Sequence, residues 1–170
     1  MIRLIVYSPP HAEARALASE PLVAAVSRRL SPRARGLLVA AVCGGVVVVC
    51  AWLHPAAGGA GTHEQLGMPP CSFLSRTGWP CPSCGMTTSM AAMAHGRVAA
   101  AWRAHPFGVA LFAAVMAAGA ISLAELASGR RVFERLRPRL WWVWAGLAGL
   151  AAGWGWKLAA GWASGAYPLP

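Results

Sequence analysis

Aspartate is missing from this chain altogether, and only five of its 170 residues are acidic. Charged residues of both signs make up 12%, about half the share of roughly 25% found in soluble domains. A surface so poor in charge points to lipid as the main solvent. The lack of Asp also removes the usual orienting carboxylate of a hydrolytic triad. No Ser-His or Cys-His arrangement is locally placed, so nucleophilic hydrolysis is not expected. A second Cys-x-x-Cys pair outside the membrane is absent as well, which argues against a zinc ribbon. No internal repeat, quinone site or cofactor signature is visible. A chain without a cofactor is expected, and a non-enzymatic role is preferred.

What is present is apolar and basic, with 57% hydrophobic residues and a net charge of +10. A spanning helix needs about 20 mainly apolar residues. Three runs meet this, over residues 36–53, 106–126 and 140–162. The expected fold is an all-α integral membrane protein with three transmembrane helices and a short interfacial or re-entrant helix. Residues 1–35, with four prolines, read as a disordered basic cytoplasmic tail, and 36–170 as the membrane domain. The first run is longer than the roughly 7–15 residues of a signal peptide core and sits far from the start, so an uncleaved anchor is expected.

The arginines orient the chain. Six precede the first run, five lie in 127–139, three lie in 54–105, and none follows Trp162. The positive-inside rule puts the N-terminus and 127–139 in the cytoplasm. The loop 54–105 and the C-terminus then face outside a cytoplasmic membrane. Trp52, Trp102, Trp154, Trp156 and Trp162 fall near the outer ends, and Trp141, Trp142 and Trp144 at an inner end. Cations grouped at helix ends argue for anionic lipid at the cytoplasmic segments and against nucleic acid. Lys157 and Glu125 are each expected at an interface, the lysine snorkelling outward. Gly149 and Gly153 form a small-x-x-x-small face, with Gly44 and Gly45 as possible partners, which leaves a helix partner or a homo-oligomer open. Cys43 and Cys50, seven apart, share a helix face as small packers.

The outside loop carries the chemistry. Residues 54–70 are rich in Gly and Pro and read as loop. Cys71 is followed by Cys81 and Cys84 in "CSFLSRTGWPCPSCG". A helical pattern then runs from Met86 to Ala94, stopped by His95 and Gly96, and a second short helix is expected from about Arg97. Met86, Met90 and Met93 share one face, expected to pack. The cysteine pair would sit at the start of a helix, where the dipole favours thiolate, in a compartment where disulfides persist.

Cys71, Thr77, Gly78, Cys81, Pro82, Cys84, Gly85 and Thr87 resemble the signature of a family of small bacterial membrane proteins filed as domain of unknown function 2752. The resemblance covers about residues 68–126. Thr88 stands where the family has Arg, His95-Gly96-Arg97 where it has x-Gly-Asp, and His105-Pro106 where it has Asn-Pro. The resemblance implies architecture and no mechanism.

Three readings of the cysteines compete. In the leading one they are structural: a Cys71–Cys81 or Cys71–Cys84 bridge pins the loop, contributing on the order of 3 kcal/mol, but leaves one thiol over. In the second, Cys81 attacks, Cys84 resolves and Cys71 relays. In the third, Cys71, Cys81 and Cys84 bind zinc with a histidine. His63, on a flexible loop, is the best fourth ligand. His95 is too far along its helix, and His54 and His105 are expected at the interface.

Overall fold

A computed structural model describes residues 31–132 and 140–167. Among them all regular structure is helical. In chain order these are α1 (Pro32–Trp52), a 3₁₀ turn (Thr62–Leu66), α2 (Ser72–Thr77), α3 (Met86–Ala94), α4 (Val98–Ala104), α5 (Pro106–Ser128) and α6 (Leu140–Ala163). The tail 1–30 lies outside the described residues.

Each boundary has a local cause. α1 begins at Pro32, whose fixed φ suits the first helical position. The Ser31 hydroxyl caps it by accepting from the Ala34 amide at 3.2 Å. The helix therefore starts four residues before the apolar run. α5 also opens on proline, and Gly129, with φ +66°, closes it. The extended His105 separates α4 from α5. The loop 54–70 contains the 3₁₀ turn, and α2 lies in a stretch where no helix was expected.

α1 and α5 form the closest helix pair. The start of α1 lies beside the end of α5, so they run antiparallel. Gly36 touches the backbone of Ser122 and Leu126 so closely that an added Cβ would fall 2.8 Å from the Ser122 carbonyl. Seven residues on, Cys43 faces Gly119, and seven further on Cys50 is buried. This stripe of small side chains is what permits the approach. α6 packs on the beginning of α5 instead. Gly149 receives the Phe107 ring, and Gly153 receives His105 and Phe107. Gly44 and Gly45 have no neighbour within 4 Å of an added Cβ, so they are not the partners of the α6 glycines. Phe107 and His105 are.

Among the described residues, α1 and α5 are the two helices long and apolar enough to cross a bilayer. Only 11% and 17% of their apolar windows is buried, whereas the core helix of a soluble domain would be mostly covered. Leu37, Val42, Val48, Met116 and Leu123 are half exposed or more. This pattern points to a membrane protein. α6, at 24 residues, is as long but rich in Trp and Gly, which lower its hydropathy.

Glu125 is not interfacial. It is fully buried, and Arg35 grips it with Nη2 at 2.7 Å from Oε1 and Nε at 3.2 Å from Oε2. The pairing explains a carboxylate near the end of an apolar helix: burial is tolerated where a fork-shaped cation meets both oxygens. Arg33 lies against Gly129 at the same end.

Candidate functional site

The cysteine motif lies at the other end of the bundle, on a short chain path that turns three times. Cys71 caps α2, its carbonyl accepting from the Ser75 amide at 3.0 Å. Thr77 finishes that helix: its hydroxyl donates to the Phe73 carbonyl at 2.7 Å and accepts from the Trp79 amide at 3.1 Å. Gly78, at φ +70°, takes the left-handed position that reverses the chain. The chain then turns over Cys81–Cys84, the Cys84 amide donating to the Cys81 carbonyl at 3.0 Å. Gly85, at φ +86°, caps α3. A Cβ there would also fall 2.5 Å from the Gly59 carbonyl and from Lys157 Nζ, and 2.6 Å from the Ala104 carbonyl. Thr77, Gly78 and Gly85 thus owe their places in the motif to backbone geometry.

These turns bring Cys71 to Cys81 and Cys84. All three sulfurs lie within 4.8 Å of one another, and those of Cys81 and Cys84 are 3.3 Å apart. All three are free thiols. They differ in access: Cys84 is buried, while Cys71 and Cys81 are half-buried. Burial alone would raise the Cys81 thiol. Hydrogen bonds from Ser83 side chain, Cys84, Ser83 backbone and Cys71 outweigh it and lower the thiol to about 7. Burial, then the hydrogen bonds with Cys81 and Cys71, push Cys84 up to about 12. A thiol of lowered pKa, held by its neighbours and open to a cleft, with a protonated thiol behind it, is chemically suited to act as a nucleophile beside a resolving partner.

The cleft has a volume of about 990 Å³ and is lined by His63, the three cysteines, Thr87 and Thr88 among others. His63 reaches the cleft wall, but its Nε2 is 3.2 Å from the Pro69 carbonyl, and its ring is not part of the thiol cluster. Thr87 faces the cleft. Thr88 is buried and pairs with Thr62 through hydroxyls 2.8 Å apart. His95 sits 3.0 Å from the Leu53 carbonyl and beside His54, ring centres 6.3 Å apart. The three thiols suit a soft metal, but among the described residues the cluster contains no fourth ligand.

The back of the motif is held by residues that the sequence placed at the interface. Lys157 is buried, not snorkelling. Its Nζ donates to the Cys84 carbonyl at 3.0 Å and to the Gly59 carbonyl at 3.2 Å. His105 is fully buried, not interfacial. Its Nε2 is 3.0 Å from the Pro82 carbonyl, and its Nδ1 has no partner. Burial lowers its pKa, and the Lys157 charge lowers it further, against the Pro82 bond. The neutral ring therefore donates from Nε2. Trp154 donates to the Pro80 carbonyl at 2.8 Å. The carbonyls of Pro80, Pro82 and Cys84 thus each take a side-chain donor from α6 or the head of α5. Lysine in an apolar run was the available signal for this; nothing local announced Trp154 or His105.

Residues 71–119 match the family model of DUF2752. That family is described as a protein of unknown function. The DUF2752 match begins at the first thiol and ends within α5, so it takes in the whole cluster and the buried His105, and leaves out Lys157 and Trp154 of α6. No curated protein and no solved structure matches the chain.

Proposed function

We propose that this chain is a multi-pass protein of the cytoplasmic membrane, crossing it through α1, α5 and α6, and that Cys71, Cys81 and Cys84 perform thiol–disulfide exchange on the non-cytoplasmic side. The observation that carries the chemistry is the meeting of three free thiols, within 4.8 Å, at an open cleft. A structural disulfide uses two sulfurs and gives the third no task. The orientation is supported by the arginine asymmetry: Arg33, Arg35, Arg130 and Arg131 belong to the end opposite the thiols.

In the exchange, the Cys81 thiolate attacks one sulfur of a partner protein's disulfide. The partner's other sulfur leaves as thiolate and takes up a proton. Cys84 then loses its proton and attacks the Cys81 sulfur. The mixed bond breaks, the partner's second thiol is released, and a Cys81–Cys84 disulfide remains. Two electrons have moved from the motif to the partner. The reverse sequence oxidises a partner dithiol. Cys71 can attack the new disulfide and free Cys81 or Cys84.

A zinc centre is the second reading, favoured by the mutual approach of all three sulfurs. It needs a fourth ligand from water, a partner or a shifted His63. One experiment separates the readings. Cys84→Ser, unable to resolve, is expected to accumulate a mixed disulfide with another protein, seen as a heavier band on a non-reducing gel, and Cys81→Ser is not. No adduct, together with one zinc per purified chain, would assign the metal site. No adduct and no metal, with lowered abundance of Cys81→Ser, would return the cysteines to a purely structural role.

A further inference from the structure

A second cleft, of about 590 Å³, opens on the other side of the Gly85 turn. Its walls come from the loop after α1, from α4 and from the last two turns of α6. Arg97 and Arg103 stand at its edge, both exposed, and neither has a side-chain hydrogen bond or ion pair among the described residues. Lys157 lies in its wall, 5% exposed. Trp102, Trp156 and Tyr167 also line it, and among the described residues no carboxylate does.

The charge balance of this cleft is unusual. A buried ammonium ordinarily has an anion beside it. Lys157 has two carbonyl oxygens, those of Gly59 and Cys84, and a lysine has three N–H donors. The nearby groups able to carry negative charge are the Cys84 and Cys81 thiols. Both line the thiol cleft and neither lines this one. Three cationic residues therefore line a cavity to which the described residues contribute no carboxylate. The aromatic groups fix its depth. Trp102 and Trp156 are half exposed, polar at one edge and apolar over the rest, as at a bilayer–water boundary. Trp156 and Ala160 of α6 add apolar surface to the wall beside Lys157.

We propose that this cleft binds the phosphate of a membrane lipid, with Arg97, Arg103 and Lys157 taking the headgroup oxygens and Trp102 and Trp156 bracketing the glycerol region. Arginine forks suit phosphate geometry, and lysine supplies a point charge behind them. The inference rests on α5 and α6 being membrane spans and does not depend on the thiol chemistry. Lys157 joins the two sites physically, since the same ammonium holds the Cys84 carbonyl.

The test uses the full chain purified in a non-ionic detergent and titrated with phosphatidic acid, with diacylglycerol and with inorganic phosphate, bound lipid being counted by native mass spectrometry. Retention of one phosphatidic acid is expected, with no retention of diacylglycerol and no displacement by inorganic phosphate at equal concentration. Arg97→Gln/Arg103→Gln changes two exposed side chains that make no hydrogen bond or ion pair among the described residues, so the variant is expected to stay folded. It should weaken phosphatidic acid binding by at least about tenfold, which the loss of even one of the two charge-assisted contacts would give. Unchanged binding by this variant, or equal retention of diacylglycerol, would overturn the site. Displacement by inorganic phosphate would overturn the lipid assignment in favour of a soluble phosphate. Failure here leaves the exchange reading standing, because the Cys84→Ser adduct is scored independently.

Discussion

The two ends of the bundle are closed by different physics. At the arginine end, α1 and α5 meet across Gly36, and the bidentate ion pair Arg35–Glu125 lies in the seam. Side chain meets side chain there, between two regular helices that already satisfy their own backbones. At the thiol end, distant side chains donate to loop carbonyls: Trp154 to Pro80, His105 to Pro82, and Lys157 to Cys84 and Gly59. Ser89 donates to the His105 carbonyl at 2.9 Å in the same layer. A stretch without long helices has many carbonyls to satisfy, and buried ones must find donors. The ion pair fastens elements, whereas the carbonyl network shapes a chain path, and that path is what gathers the three thiols.

The sharpest way to break this comparison is at the arginine end. Glu125→Ala removes the carboxylate that Arg35 grips in the seam, at a cost of about 3–5 kcal/mol. Thermal unfolding in detergent should show a large drop, while Arg35→Leu/Glu125→Leu recovers most of it because an apolar pair of similar size then fills the seam. If the double variant is as unstable as the single one, the ion pair is not what matters in the seam. At the thiol end, Gly85→Ala forces a side chain into a left-handed position and against two backbone oxygens. The expected loss is on the order of 2–4 kcal/mol, and it should loosen the thiol cluster as well, read as faster alkylation of Cys84. Stability lost with Cys84 still protected would mean that the turn does not set the thiol geometry.

The smallest effect is kinetic. The Cys81 thiol lies at about 7 and the Cys84 thiol at about 12. Thiolate reacts and thiol does not, so Cys81 alkylation should rise as pH passes upward through about 7 and level off above it, with Cys84 unreactive throughout. A membrane-impermeant maleimide applied to intact cells after mild reduction reads both this and the topology. Labelling that appears only after lysis would place the motif in the cytoplasm.

The sequence made the apolar helices legible because hydropathy and length are local properties. The short helix Met86–Ala94 was legible for the same reason: its Gly85 start and its His95-Gly96 stop lie on the chain itself. α2 was not, since six residues whose end is fastened by Thr77 carry too little periodicity. The partners of the α6 glycines were misassigned to Gly44 and Gly45, because a small-residue motif names a close approach without naming what approaches. Lys157, His105 and Glu125 were read as interfacial for a related reason. A titratable residue in an apolar run costs free energy in the absence of a partner, and each partner here is far away in the chain, 73 residues in the case of Lys157 and Cys84 and 90 in that of Arg35 and Glu125.

By itself, then, the sequence determined that the chain is helical and apolar, that its arginines are unevenly placed, and that its chemistry lies in the segment around Cys71, Cys81 and Cys84. Those follow from composition, period and spacing. Only the tertiary structure decided that the three thiols share one cleft, that Cys84 is buried behind Cys81, and that Lys157 turns inward between a thiol cleft and a cationic one. The physical reason is range: helix formation is settled within a few residues, whereas the satisfaction of a buried carbonyl or charge is settled by whichever distant side chain the fold brings to it.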